Sequence, residues 1–295
     1  MSHTQLPRSR EPSGDVGAAG DSSMRARLER MVPGIRVLPR GRVAIIRLYG
    51  PISGGGRSAA AVELAARLRA SRRVPAVVVD IDSPGGSASA SDDVFLALER
   101  LARVKPLVAS IRGVGASGAY LAAMAARRVL ANPNAIVGSI GVISASPRLP
   151  RLLERAGVSV SVTKAGRLKE MGAPWRDDDD EERTREQDLV NAIYDAFVGR
   201  VATARNLAVE RVRELATGEV WLGSRAHELG LVDEIGDLER AVEVAAAYAG
   251  VPARSARVRL HQPLLGRLMD RAVARAATAV ADEIEARFAD RRRGL

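Results

Sequence analysis

The sequence predicts a layered α/β fold with largely parallel strand pairing. Short runs rich in β-branched residues recur at 43–49, 76–81 and 107–111. The second and third run straight into glycine-rich turns, Asp82-Ser-Pro-Gly-Gly86 and Arg112-Gly-Val-Gly-Ala-Ser-Gly118. After each turn the apolar spacing switches to a helical period. Strand, turn and helix in repetition give a parallel sheet covered by helices.

The elements follow in order. Residues 1–40 hold Pro, Ser, Gly and charge without periodicity and read as a basic tail. The run 43–49 is a buried strand, and 50–56 a glycine-rich loop. Ala59–Ala70 has helical spacing, with Val62, Leu64, Ala65 and Leu68 on one face. The continuous run 76–81 suits a strand covered on both sides. A helix over 91–103, a strand over 107–111 and a helix over 119–126 come next. Strands are expected at 128–131 and 136–143, a helix at 148–156, and an alternating strand at 158–163. A long helix spans about 178–205. It opens on six consecutive acids, Asp177 to Glu182, which favour the positive end of a helix better than they suggest a metal site. Residues 209–250 read as helical, with a hairpin-like insert formed by 220–221 and 231–235. The domains predicted are thus a tail (1–40), a core domain (41–250) and a basic helical extension (251–295). In the extension, Leu265, Leu268, Met269, Ala272, Val273, Ala276, Val280, Ile284 and Phe288 fall on one stripe. Its own domain, a partner subunit and a membrane surface contacted through 264–291 would each suit that amphipathic face.

Composition narrows the function classes. The formal net charge is +10, with arginine in excess at both ends. Aromatics are only 3% of the chain, too few to stack bases, and no nucleic-acid motif accompanies the charge. There is no cysteine, which removes disulfides, thiolate metal sites and a cysteine nucleophile together. No apolar run reaches about 18 residues, and the first 40 lack the apolar centre of a signal peptide. The expected location is the cytoplasm. No metal or cofactor is called for.

One count points to chemistry. Of 45 basic residues only three are lysines, Lys105, Lys164 and Lys169. Arginine keeps its proton in a protein, whereas lysine can lose it. Each lysine therefore raises the question of whether it must act neutral. Lys169, between Leu168 and Met171, reads as set deeper in its loop than Lys164.

Ser117 stands between small residues at a strand-to-helix turn. Such a corner exposes a hydroxyl and lets a substrate backbone approach, and free N–H groups lie beside it. A plain helix cap would use the same residues. The turn at Gly85-Gly86 should reach the same sheet edge, so the Gly86 and Gly118 N–H groups are candidate oxyanion donors. The histidines are His3, His227 and His261. The first and last lie in the basic ends, and His227 lies in a polar helix, so a Ser-His-Asp triad is poorly supported. Lysine remains as the base.

Four motifs in register resemble the signal peptide peptidase A family of Ser-Lys peptidases: Asp82-Ser-Pro-Gly-Gly86, Gly115-Ala-Ser-Gly-Ala-Tyr120, Val137-Gly-Ser-Ile-Gly-Val-Ile143 and Lys164-Ala-Gly-Arg-Leu-Lys169. The resemblance covers about residues 43–250. It implies a ClpP/crotonase-like fold of repeated β-β-α units, Ser117 as nucleophile, Lys169 as general base and Ser139 as the hydroxyl orienting the lysine. It implies an oxyanion hole that includes the Gly86 and Gly118 amides. It also implies a homo-oligomer whose sites combine serine and lysine from adjacent subunits, acting on unstructured or signal-peptide-like chains. Three departures stand out. The family's usual N-terminal anchor is not seen, Ala119 replaces a second glycine, and the basic C-terminal helix is an addition. A crotonase-like acyl-CoA enzyme and a non-catalytic scaffold binding membrane or partner are the rival readings.

Overall fold

β-Branched runs build the centre of the sheet. Val43–Tyr49 (β1), Val77–Ser83 (β2) and Leu107–Ala116 (β3) are almost wholly buried along their first halves. They pair parallel, Ala44 opposite Val77 and Val77 opposite Leu107. The computed structural model describes residues 41–258, which lie within one compact unit. The tail 1–40, with His3, lies outside the described residues. So does the chain from 259 on, with His261 and the proposed amphipathic helix.

Among the described residues eight strands form one sheet in the order Val220–Leu222 (β6), Ile136–Gly138 (β5), β3, β2, β1 and Ser255–Arg257 (β8), with Arg128–Ala131 (β4) beside β3 and Glu234–Ile235 (β7) beside β4. Ile136–Gly138 (β5) continues along β3 where β4 stops. Among the described strands only β6, on β5, is antiparallel. Ser255–Arg257 (β8) closes the far edge against β1. On one face Val43, Ile45, Ala76, Val78 and Val108 pack on Ala241, Val242, Ala245 and Ala246 of helix Leu238–Ala249. The alternate residues Ile46, Leu48, Val77, Val79 and Ile81 are equally buried, which a two-sided layer requires. Each such side chain contributes about 1.5–3 kcal/mol on burial. Besides that helix, Leu238–Ala249 (α8), the helices that touch β1 to β3 are α1 (Gly56–Ala70), α2 (Ala88–Ala102) and α3 (Gly118–Ala123). The layered α/β class is as the sequence predicts.

Several elements differ from expectation. β3 does not stop at Ile111. It runs through the glycine run to Ala116, because Val114–Ala116 find partners in β5 and a shift of register near Ser83 admits them. The strand expected over 136–143 ends at Gly138, since Ser139 turns at φ +52°. The 220–221 and 231–235 segments are not a hairpin: β6 pairs with β5, and β7 with β4. Residues 158–163 form no strand, because nothing pairs with them.

That last segment belongs to an arm. Helix α4 (Pro150–Arg155) has no buried residue, and Val158, Val160 and Val162 stand exposed in alternation. Ile143, just before, is 92% exposed. The arm returns through Asp180–Arg205 (α5), whose first half buries little but Glu182 and whose last turns bury Phe197, Val198 and Val201. Five of the six acids at its start, Asp178 to Glu182, pair with an arginine or cap the helix. Asp179 and Glu182 make a reciprocal capping box, Asp178 pairs with Arg148, and Glu181 with Arg167. The remaining described elements are α6 (Val209–Leu215) and α7 (Gly223–Glu228). Among the described residues no helix is long and apolar enough to cross a membrane.

Candidate active site

The last paired residues of β3 and β5, Ala116 and Gly138, set the corner. Ser117 and Ser139 each follow one of them, so the parallel register brings the two serines side by side. Both leave the sheet at positive φ, +51° and +52°. Such backbone costs about 1–3 kcal/mol at a non-glycine residue and persists only where neighbours hold it. Here the Ser117 N–H donates to Gly138 O at 2.8 Å, and the Ser139 N–H to Glu219 O at 2.7 Å. Ser117 is half-buried, and helix α3 starts at the next residue.

The second turn meets the first. Gly85 has φ +89°, and a Cβ there would stand 2.7 Å from the Gly118 nitrogen and 2.9 Å from the Ser117 Cβ. Only glycine lets the two turns approach this closely. Ile52 fixes the following peptide on both sides: its N–H donates to Gly85 O at 2.8 Å, and its carbonyl accepts from the Ser87 N–H at 2.9 Å. Gly86 lies between, exposed, with no backbone acceptor for its N–H among the described residues. A Cβ on Gly118 would lie 3.7 Å from the Gly86 nitrogen and would fall on Ser91 Oγ. The Gly86 and Gly118 amides are thus neighbours at the edge where Ser117 stands. Helix α3 is only six residues long, so these N–H groups matter here more than any helix dipole.

Ser91 was invisible as a site neighbour in the sequence. It is buried on the first turn of α2, and its hydroxyl has no hydrogen-bond partner among the described residues. The surrounding serine-rich stretch gave no signal to single it out. Asp82 also contributes, accepting from the Val114 N–H at 3.1 Å and so steadying the strand before Ser117.

The lysines separate cleanly. Lys105 Nζ donates to three carbonyls, those of Leu68, Ser71 and Val74 (2.9 Å to the last), and so closes the end of α1. Burial lowers its pKa, yet three acceptors need three N–H donors, so its role is a charged cap. Lys164 pairs with Glu170 at 2.8 Å. Lys169 makes no hydrogen bond or ion pair with its side chain among the described residues. The expectation that Lys169 sits deeper than Lys164 is not met: both are exposed on the arm, in a cleft of about 410 Å³ lined also by Val162, Glu170, Met171 and Trp175. That cleft includes neither serine, and no hydrogen bond joins Lys169 to Ser117 or Ser139. The single chain brings Ser117, Ser139, Gly86 and Gly118 together, and Lys169 lines a cleft that does not include them.

His227 lies in α7 with Nδ1 3.3 Å from Val232 O, a link within its own turn. No group of three or more acidic or histidine side chains among the described residues could hold a metal ion.

Comparison with known proteins agrees with the motifs. Residues 99–252 match Peptidase family S49. A Synechocystis protein provisionally named a protease is 41% identical over 212 residues, covering 72% of this chain and 76% of that one. A chloroplastic serine protease named SPPA from Arabidopsis thaliana is 36% identical over 213 residues, or 71% of this chain but 32% of its own length. Among solved structures, a ClpP1 from Listeria monocytogenes aligns over 67% of this chain and 93% of its own, at 15% identity and a TM-score of 0.47.

Proposed function

The chain belongs to Peptidase family S49, as the resemblance to signal peptide peptidase A implied, and from that premise we propose that it is a serine endopeptidase working through a Ser117–Lys169 dyad. The observation that carries the reading is the corner itself: a half-buried serine at strained φ beside two neighbouring amides that no backbone carbonyl among the described residues engages. That is the arrangement acyl transfer needs, an exposed nucleophile with donors aimed where negative charge develops.

In this reading neutral Lys169 takes the Ser117 proton as Oγ attacks the scissile carbonyl. The Gly86 and Gly118 N–H groups hold the oxyanion. The lysine then protonates the leaving amine, and water activated by the same amine releases the acyl-enzyme. Ser139, beside Ser117, orients the lysine. Since Lys169 is exposed on an arm with unpaired valines, it serves the Ser117 of an adjacent copy, and the active species is a homo-oligomer. The substrate is an unstructured or signal-peptide-like chain. An extended peptide suits an edge that offers backbone N–H groups.

Fluorophosphonate labelling with mass mapping tests the nucleophile; modification away from Ser117 would overturn it. Peptide cleavage tests the dyad. Ser117→Ala and Lys169→Ala should each lose several orders of magnitude, and Lys169→Arg should stay inactive because it keeps charge without basicity. Mixing the Ser117→Ala and Lys169→Ala proteins under subunit exchange should restore part of the activity. A mixture that stays inactive, while each variant assembles normally, would place serine and lysine in one chain.

A further inference from the structure

A general base must be neutral at working pH, and the nearest anion works against that. A carboxylate within about 4–6 Å of an ammonium raises its pKa by about 1–3 units. Lys169 is followed directly by Glu170, and both line the same cleft. They nonetheless make no ion pair.

The Glu170 carboxylate is fully engaged by other donors. Lys164 Nζ reaches Oε2 at 2.8 Å, and the Trp175 indole N–H reaches Oε1 at 2.8 Å. Arg176 Nε stands 3.5 Å from Oε2, and an Arg176 amino group donates to the Glu170 carbonyl at 3.1 Å. Arg176 is itself anchored by Glu182, which is buried at the start of α5. The other charged groups around this loop are also paired, Arg167 with Glu181 and Arg148 with Asp178. Glu170 is therefore both satisfied and fixed, and Lys164 is its shortest cationic contact.

We propose that Lys164 is a positioning residue for Lys169, holding the Glu170 carboxylate so that the adjacent lysine is left without an anionic partner. This rests on Lys169 being the base. It also gives Lys164 a reason to be present: without it the Glu170 carboxylate would keep only the Trp175 N–H and the longer Arg176 contact in the cleft shared with the base. The hydrogen bonds from Lys164 and Trp175 hold the Glu170 carboxyl below its ordinary pKa, so it stays ionised and needs a partner throughout the working range.

The test is the pH dependence of kcat/KM for a peptide substrate, which reports the free enzyme's base. Lys164→Met should raise the apparent pKa of the acid limb by about one unit and lower kcat/KM near neutral pH about tenfold, with KM within twofold. Adding Glu170→Gln to Lys164→Met should restore both, because glutamine keeps the acceptor for Trp175 and loses the charge. Thermal unfolding and native mass verify that each variant is folded and assembled. Lys164→Gln replaces the methionine variant if that one misfolds. An unchanged acid limb in the single variant, or a double variant as impaired as the single, would overturn the inference. Lys169→Ala is run alongside. Full activity there would remove the base assignment itself, whereas an inactive Lys169→Ala with an unshifted Lys164→Met profile removes only the role of Lys164.

Discussion

Gly85 is the position where a single methyl group should separate catalysis from folding. Its φ of +89° strains any other residue, at about 1–2 kcal/mol. A Cβ there also meets three atoms of the neighbouring turn, the Gly118 nitrogen at 2.7 Å, Ala116 O at 2.8 Å and the Ser117 Cβ at 2.9 Å. Two of these are backbone, so the clash is relieved only by moving the Ser117 corner away from Gly86. Overpacking of this kind costs a further ~1–3 kcal/mol. For Gly85→Ala the sum is about 2–5 kcal/mol. At about 2–4 °C per kcal/mol for a unit of this size, the unfolding temperature should drop by roughly 4–20 °C. The amide pair would also be pulled apart. Loss of one oxyanion donor lowers kcat about 10²–10³-fold, and the folded fraction of Gly85→Ala should show a loss of that order. Gly157→Ala is the control. Its φ is +69° but nothing lies within 4 Å of the added carbon, so only the backbone strain applies. It should lose roughly 2–8 °C and no activity. Calorimetry and burst-normalised peptide kinetics would read both. If Gly85→Ala kept wild-type kcat while losing stability, the close approach of the two turns would have no bearing on the chemistry.

Two further predictions concern the framework. Burial leaves Lys105 with three carbonyl acceptors at the end of α1, so Lys105→Met should cost about 1–3 kcal/mol in denaturant unfolding without altering activity per folded molecule. Glu182, hydrogen-bonded to Arg176, titrates at about 2 rather than 4.5. A carboxyl depressed on folding adds stability that is complete above its unfolded pKa and is lost as pH falls through the folded one. Unfolding temperature should therefore decline between about pH 4.5 and 2, and Glu182→Gln should be less stable at pH 6 with a shallower decline; an equal slope in both proteins would contradict the assignment.

Much of this architecture was legible in the chain, for physical reasons. Strand periodicity and glycine placement are local, so β1, β2 and the start of β3 fell where their residues put them. The meeting of the Gly86 and Ser117 turns follows from parallel pairing of neighbouring strands, which fixes their C-terminal ends on one edge. What depends on distant partners was not legible. Gly113 and Gly115 read as a turn, but β5 supplies the pairing that carries β3 to Ala116. Val158, Val160 and Val162 alternate as a strand should, yet alternation records only that one face wants covering, not what covers it. The hairpin expected near Trp221 failed the same way: β6 and β7 each found a strand far off in sequence.

The three lysines differ in what surrounds each ammonium. Scarcity alone suggested that every lysine might need to lose its proton, and that does not hold. Lys105 needs all three of its protons, one for each carbonyl it caps. Lys164 needs its charge, because an ionised Glu170 faces it. Neither site could be served by a neutral amine, and in both a compact ammonium reaches acceptors from a flexible stem where a planar guanidinium would have to find room. Lys169 differs from both in what surrounds it: no carbonyl or carboxylate among the described residues holds its ammonium, while the carboxylate beside it is taken up by others. An amine without anionic partners has no ion pair to break when it gives up its proton. On that ground the case for Lys169 as the base rests less on the rarity of lysine than on the pairing of its neighbours, and the arm that carries it is shaped as much by Lys164, Glu170, Arg176 and Glu182 as by the lysine itself.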